Sequence, residues 1–409
     1  MNISLIIPIK NDYEAFSQLM NAINDQVLLP DEIIIIDSSD NDKIRKISES
    51  HSLFNSIKYY KFNNKYPGEA RNIGINKSNF DLVAFLDSKT IPNKEWLRNQ
   101  KEELINNNLD VVFGRTKYFS KNKFQDFVKA ATFGNISHVT TPGSIVKRNI
   151  LLDNYFIEGV RTADDLEWRQ RLISKNIKYS NIKNNFLSYY SLPNNLYLLL
   201  KRYFIYSFHT AQLNINNKLK LFYFFILLLF LLFFIPRWNH YLPGWNTNHP
   251  LYIENHIKFF LLSFVSIVLM SVTVQNLPFL KKNKFYSLIK IIILFFLIVV
   301  VYNWNFSISD WIEKSVFYFP HITKIFILLV FFISFLVRGI YYPLKRKIHL
   351  KFLLPLNWII TGLIGFLIDL IKAPAYLYGS ILPKFLLKKN NKYKNFSVIF
   401  YPKYANKSP

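Results

Sequence analysis

Apolar positions follow two regimes along the chain. Before about Leu219 short apolar runs alternate with charged and polar stretches. Beyond it come runs such as FYFFILLLFLLFFI and IIILFFLIVVVY. The first regime predicts strands and helices in alternation. Residues 4–9, SLIIPI, read as a buried strand with Lys10, Asn11 and Asp12 at its carboxyl end. Ala15, Leu19, Ala22 and Ile23 recur at helical spacing, which predicts a helix over 14–26 ended by Leu29 and Pro30. Residues 32–36 form a second strand ending on Asp37, and a basic helix over 42–50 leads to a strand over 56–62. Then comes YPGEARNIGINKSNFDLVAFLDSKTIP, residues 66–92. It reads as a turn at Pro67 and Gly68, a helix carrying Ala70, Arg71 and Ile75, and an apolar strand over 82–86 that ends on Asp87. This order argues for a parallel sheet with right-handed crossovers. Ligands bind such sheets beyond the strand carboxyl ends, where Asp12, Asp37 and Asp87 fall.

Further on, a helix carrying Trp96 and Leu97 runs to about Asn107, and residues 109–114 form another strand. The basic, aromatic run 117–129 is expected to be a loop facing acceptor or membrane. Residues 154–171, NYFIEGVRTADDLEWRQR, contain a helix start. Asp164, Trp168 and Arg171 lie along one face of that helix, and Asp165 begins the turn. Either aspartate could serve simply to complement the helix dipole. Residues 196–213, with Lys201, Arg202 and His209 among aromatic side chains, predict an amphipathic interfacial helix.

The second regime predicts membrane spans at 219–236, 257–277, 285–303 and 322–342. Lys281, Lys282 and Lys284, then Lys345, Arg346 and Lys347, mark cytoplasmic loops, which puts the amino-terminal domain inside. A fifth apolar stretch, 352–371, contains Pro355, Gly362, Gly365 and Asp369. It is expected to be re-entrant or interfacial, returning the basic tail to the cytoplasm. The expected domains are 1–215, 216–345 and 346–409.

The formal charge is +25, yet no nucleic-acid motif accompanies it, and much of the charge flanks apolar segments. Anionic lipid headgroups are the expected partner, not nucleic acid. The absence of cysteine excludes disulfides and thiolate metal sites.

The block G-x-A-R-N-x-G followed by apolar-F-L-D resembles the donor-binding core of family 2 glycosyltransferases, and the resemblance extends over residues 3–213. It implies a GT-A type fold, a mostly parallel sheet sandwiched by helices, followed here by an all-α transmembrane domain. It also implies an inverting transfer from a nucleotide-sugar donor to an acceptor hydroxyl. The predicted spans make that transfer membrane-bound, and a cytoplasmic site beside an interfacial helix points to a lipid-linked glycan acceptor. By that resemblance Pro8, Asp12, Asp37, Arg71, Asp87 and Lys89 surround the nucleotide sugar, although Asp12 could equally be a helix cap. Asp164, Asp165, Glu167, Trp168 and Arg171 match the family's E-D-x-[DE]-[LW]-x-x-R helix motif, with Asp165 as general base. The family's Asp-x-Asp metal motif reads Asp87-Ser88-Lys89 here. A lysine ammonium has no lone pair for a cation, so Mg or Mn is expected to be weakly held on Asp87 or dispensable. The Q-x-x-R-W motif of processive members is absent. A polyprenyl-phosphate glycosyltransferase, whose anionic acceptor needs no base, and a non-catalytic donor-binding subunit remain as alternatives.

Overall fold

The computed structural model describes residues 1–213 and 322–381, with isolated positions between 215 and 261. The spans expected at 219–236, 257–277 and 285–303 lie largely or wholly outside the described residues. The chain divides into two compact units, Asn216–Val337 and a larger one that joins Met1–Ile215 to the segment beginning at Arg338.

The larger unit is built on a nine-stranded sheet in the order β3-β2-β1-β4-β7-β6-β9-β5, with β8 paired to β6. Strands β1 (Ile3–Ile9), β2 (Glu32–Asp37), β3 (Ile57–Lys61) and β4 (Leu82–Phe85) are mutually parallel. Helices α1 (Tyr13–Asn24), α2 (Lys43–Glu49) and α3 (Pro67–Lys77) connect them. Strands β1, β2 and β4 are apolar almost throughout because both sheet faces are covered. Alternate side chains divide between those faces. Leu5, Ile7, Ile33, Ile35 and Ala84 pack with α1, α2 and α4 (Trp96–Asn106), while Ile6, Ile34, Val83 and Phe85 pack toward α3 and α7 (Asp164–Ser174). Pro8 lies beyond Ile6, the last β1 residue paired with β4, so its missing N–H leaves no gap in that ladder.

The sheet is mixed rather than uniformly parallel. Strand β7 (His138–Lys147) runs antiparallel to both β4 and β6 (Val111–Tyr118). The short strands β5 (Thr90–Ile91), β8 (Tyr179–Asn181) and β9 (Leu187–Tyr189) complete it. The run expected as a loop over 117–129 is the end of β6 followed by most of α5 (Lys123–Thr132). Asn122 caps that helix by accepting from the Gln125 N–H at 2.9 Å, a turn-and-cap signal hidden inside a basic, aromatic run.

After the small helix α6 (Arg148–Leu152) and α7 comes α8 (Leu196–Gln212). In the smaller unit, residues Ile322–Leu336 form helix α9. The segment from Arg338 returns to the amino-terminal domain and ends in α10 (Asn357–Ile381). Ile364 and Ile368 of α10 share a core with Phe127 and Val128 of α5 and Leu199 of α8. Arg346 donates to the Ala131 carbonyl at 2.8 Å, and its own carbonyl accepts from the Asn135 N–H at 2.9 Å. Where α10 meets α8, a Cβ at Gly379 would lie 2.4 Å from the Phe208 carbonyl oxygen, so only glycine allows the approach. Among the described residues one helix is long and apolar enough to cross a membrane, Asn357–Ser380.

Candidate active site

The carboxyl ends of β1, β2 and β4 open into a cleft of about 1130 Å³. Pro8 and Asp12 line it from β1, Ser38 from β2, and Asp87 and Lys89 from the turn after β4. This is where an open α/β sheet presents ligand groups.

At the centre stands Arg71, only 3% exposed on α3. Its Nη2 donates to Asp87 Oδ1 and its Nη1 to Asp164 Oδ2, each at 2.7 Å. The guanidinium also lies 5.4 Å from the centre of the Phe156 ring. Arg71 is therefore a buried strut joining the β4 turn to the start of α7. Gly68 permits this packing, since a Cβ there would fall 2.6 Å from the Ile157 carbonyl oxygen and 3.2 Å from Asp164. Burial pushes the Asp164 carboxyl up to about 7, with Asp165 and Asp87 adding to the rise and Arg71 opposing it. Burial works against the Arg71 cation, but Asp87, Asp164 and Asp165 outweigh it and hold its pKa above the ordinary value.

Helix α7 begins behind Ala163, which has a left-handed φ of 69°. A non-glycine residue held there is strained by about 1 kcal/mol and persists only when its surroundings fix it. The consequence is a division of labour between adjacent aspartates. Asp164 turns inward to Arg71, while Asp165 faces the cleft with its side chain 33% exposed. The Asp165 carbonyl accepts from Thr141 Oγ1 and Arg169 Nε, both at 3.3 Å, and Arg169 Nη2 stands 3.9 Å from the carboxylate. A carboxylate held this way can accept a proton from a ligand hydroxyl.

Other expected site residues take different positions. Asp37 is fully buried, accepting from Tyr59 Oη at 2.6 Å, Lys61 Nζ at 3.2 Å and the Ser39 N–H at 2.7 Å. It stands behind the cleft, and Ser38 reaches the cleft in its place. Asp12 accepts from Ser88 Oγ at 3.1 Å and pairs with Lys89 at 3.1 Å, so its carboxylate engages the turn after β4 instead of capping α1. Glu167 and Arg171 form a buried pair at 2.8 Å, with Arg171 Nη2 also donating to the Tyr155 carbonyl at 2.6 Å. Trp168 packs among Phe85, Phe113 and Phe156 and donates to the Asn154 carbonyl at 2.9 Å. These three hold α7 in place and do not line the cleft.

Among the described residues no group of three or more His, Cys, Asp or Glu side chains could hold a metal. Asp87 is the carboxylate at the expected position, one of its oxygens is committed to Arg71, and an ammonium follows two residues on. That donor set does not fit a resident hard cation.

Sequence reasoning missed the far wall, which is formed by Tyr118 and His138 with Arg169, Tyr189, Arg202 and Tyr206. Arg169 follows Asp165 by one helical turn, a spacing that could have placed it there. Arg202 falls in the helix expected to be interfacial, and α8 turns it into the cleft. His209 bonds Gln212 at 2.9 Å and does not line the cleft.

Fold and cleft together define an α/β domain that gathers charged ligand-binding groups at its strand ends. Residues 4–155 match the family described as Glycosyl transferase family 2. An uncharacterised glycosyltransferase of Rickettsia conorii is 28% identical over 185 residues, which is 42% of this chain and 30% of the relative. Glycosyltransferase AglE of Haloferax volcanii is 25% identical over 152 residues, 36% of this chain and 49% of AglE. Poly(ribitol-phosphate) beta-N-acetylglucosaminyltransferase TarS of Staphylococcus aureus is 25% identical over 178 residues, 40% of this chain and 31% of TarS. The chain thus spans from under a third to about half the length of these relatives. A solved structure of S. aureus TarS in complex with UDP-GlcNAc aligns with TM-score 0.39 and 19% identity, covering 53% of this chain and 68% of that one.

Proposed function

We propose that this protein is a membrane-bound inverting glycosyltransferase that moves a sugar from a nucleotide-sugar donor to a hydroxyl of a glycan acceptor in cell-envelope assembly. The observation that carries the reading is Asp165. It is the exposed member of an aspartate pair whose buried member is locked to Arg71 and, through it, to Asp87. Asp165 takes the acceptor proton as the hydroxyl oxygen attacks the anomeric carbon, and the nucleoside diphosphate leaves from the opposite face. Arg71 is a positioning residue in this scheme rather than a donor ligand, since both of its Nη atoms are occupied by carboxylates. Lys89, with Lys10 and Lys65 nearby on the cleft wall, supplies positive charge for the diphosphate. The ion pair that Lys89 makes with Asp12 is partly exposed and worth about 1 kcal/mol or less, so a diphosphate can recruit the lysine.

Membrane attachment through 216–345 is part of the proposal. The segment from Arg338 packs in the same unit as the amino-terminal domain, and an even number of spans between them is consistent with that. The four segments expected from hydropathy satisfy this. Leu354, Leu356, Ile359, Ile360 and Leu363 are exposed at the start of α10, beside Lys351. That arrangement suits a cytoplasmic membrane surface and an acceptor held at it, such as a lipid-linked glycan. The test is consumption of a panel of labelled nucleotide sugars by the full chain in membranes, with and without candidate acceptors. No hydrolysis or transfer of any donor would remove the transferase reading.

A further inference from the structure

The far wall of the cleft carries a guanidinium that no carboxylate among the described residues pairs with. Arg202 on α8 donates through Nη2 to Tyr189 Oη at 2.6 Å and through Nη1 to the Ser191 carbonyl at 3.3 Å. Its guanidinium lies 5.8 Å from the centre of the Tyr189 ring and 5.7 Å from that of Tyr206. None of these partners is a carboxylate, and burial raises the Tyr206 phenol above its ordinary range. Among the described residues no carboxylate pairs with Arg202. Arg169 brings a second guanidinium to the same wall, and among the described residues Asp165 is the carboxylate it pairs with, at 3.9 Å. Tyr118 joins the two regions, with its ring centre 5.2 Å from that of Tyr189 and stacked at 3.7 Å on Phe133. A cation withdrawn from water without a counter-ion is unfavourable unless a ligand brings the opposite charge. Arginine's planar fork suits phosphate or carboxylate. Aromatic faces beside it suit the apolar faces of sugar or polyol units.

Resting on the transferase reading, we propose that the acceptor is an anionic chain, and that Arg202 binds a phosphate or carboxylate of the acceptor next to the hydroxyl presented to Asp165. Two cations sit against one carboxylate on this wall, so a neutral acceptor leaves Arg202 unmatched and an anionic one completes it. Lys10, Lys65 and Lys89, which line the same cleft, are the cations assigned to the donor's diphosphate in this scheme.

The experiment is calorimetric binding to the full chain in detergent, with uridine and guanosine diphosphates as the nucleotide probes. A glycerol-phosphate trimer, a galacturonate trimer and neutral maltotriose serve as acceptor probes. The wild-type chain is expected to bind at least one anionic trimer ten-fold or more tightly than maltotriose, and whichever trimer binds better identifies the group as phosphate or carboxylate. Arg202→Gln is expected to reduce that preference below three-fold and Arg202→Lys to keep part of it, both with unchanged nucleoside diphosphate affinity. A circular-dichroism spectrum and thermal unfolding midpoint like those of the wild-type chain show that a variant is folded. Equal binding of neutral and anionic trimers by the wild-type chain overturns the inference. So does loss of nucleotide affinity in the folded Arg202→Lys variant, which would assign Arg202 to the donor. If neither nucleotide binds the wild-type chain, the transferase reading itself falls.

Discussion

Asp164 and Asp165 are adjacent in sequence and opposite in circumstance. One is sealed against Arg71, the other half-open to the cleft. Asp165→Asn keeps the side-chain shape but cannot take a proton. Transfer is expected to fall by about 10² to 10⁴-fold while nucleotide-sugar affinity stays close to wild type. A folded variant that retained most of its turnover would remove Asp165 from the base role. Asp164 makes a different prediction. Its folded pKa, about 7, lies above the ordinary 3.8, so between those values the folded chain holds a proton that the unfolded chain has lost. Stability from this group therefore falls as pH rises from about 4 to 7. Asp164→Asn should accordingly gain stability relative to wild type at pH 8 compared with pH 5, measured by chemical denaturation. An equal effect at both pH values would show that Asp164 is ionised throughout. For Lys89, the expectation is activity that survives a chelator in the wild-type chain. Lys89→Ala should lower turnover or raise metal dependence, and Lys89→Asp should make activity metal-dependent. Complete loss with chelator, together with wild-type behaviour of Lys89→Ala, would make the lysine a bystander.

Elements are positioned by a few close approaches that tolerate no side chain. In β6 the register shifts between Val112 and Gly114, and a Cβ at Gly114 would stand 2.1 Å from the Pro142 carbonyl oxygen. Trp96 Nε1 and Gln100 Nε2 anchor the same bend by donating to the Gly143 carbonyl at 3.1 and 2.9 Å. The cleft wall carrying Thr116, Tyr118 and Thr140 follows from that bend. Gly114→Ala forces two backbones apart and should destabilise the domain by about 2–3 kcal/mol in urea or guanidinium unfolding. A cost under 0.5 kcal/mol would mean that the bend relaxes freely.

For the whole molecule, the return of residues 338–381 to the amino-terminal domain constrains how the intervening chain can meet a membrane. Because the chain has no cysteine, single cysteines can be placed at will. Replacements at Lys94 and at Lys392 are expected to label from the same, cytoplasmic side. Labelling of Lys392→Cys from the outside alone would mean that residues 352–371 cross the membrane. The apolar character of that stretch, taken from sequence, suits crossing or lying flat equally well. Within it, Ile364 and Ile368 pack against Phe127, Val128 and Leu199, while Ile359, Ile360, Leu363 and Leu370 stay exposed.

What the sequence by itself determined is local and periodic. Apolar runs marked β1, β2 and β4, helical spacing marked α1, α3 and α7, and a short order of residues marked the family. Asp87, Asp164 and Asp165 were legible because each lies at the end or start of an element whose period is strong. Tertiary structure alone decided which groups meet. Arg71 became a strut only when β4 and α7 closed on it, and Asp37 was withdrawn only by Tyr59 and Lys61 from the neighbouring strand. Tyr118, Arg169 and Arg202 come from elements far apart in the chain, so no window of sequence contains the wall they form. The docking of α10 on α8 and α5 was equally hidden. An amphipathic helix shows that it has an apolar face, but its period is the same whether lipid or protein covers that face.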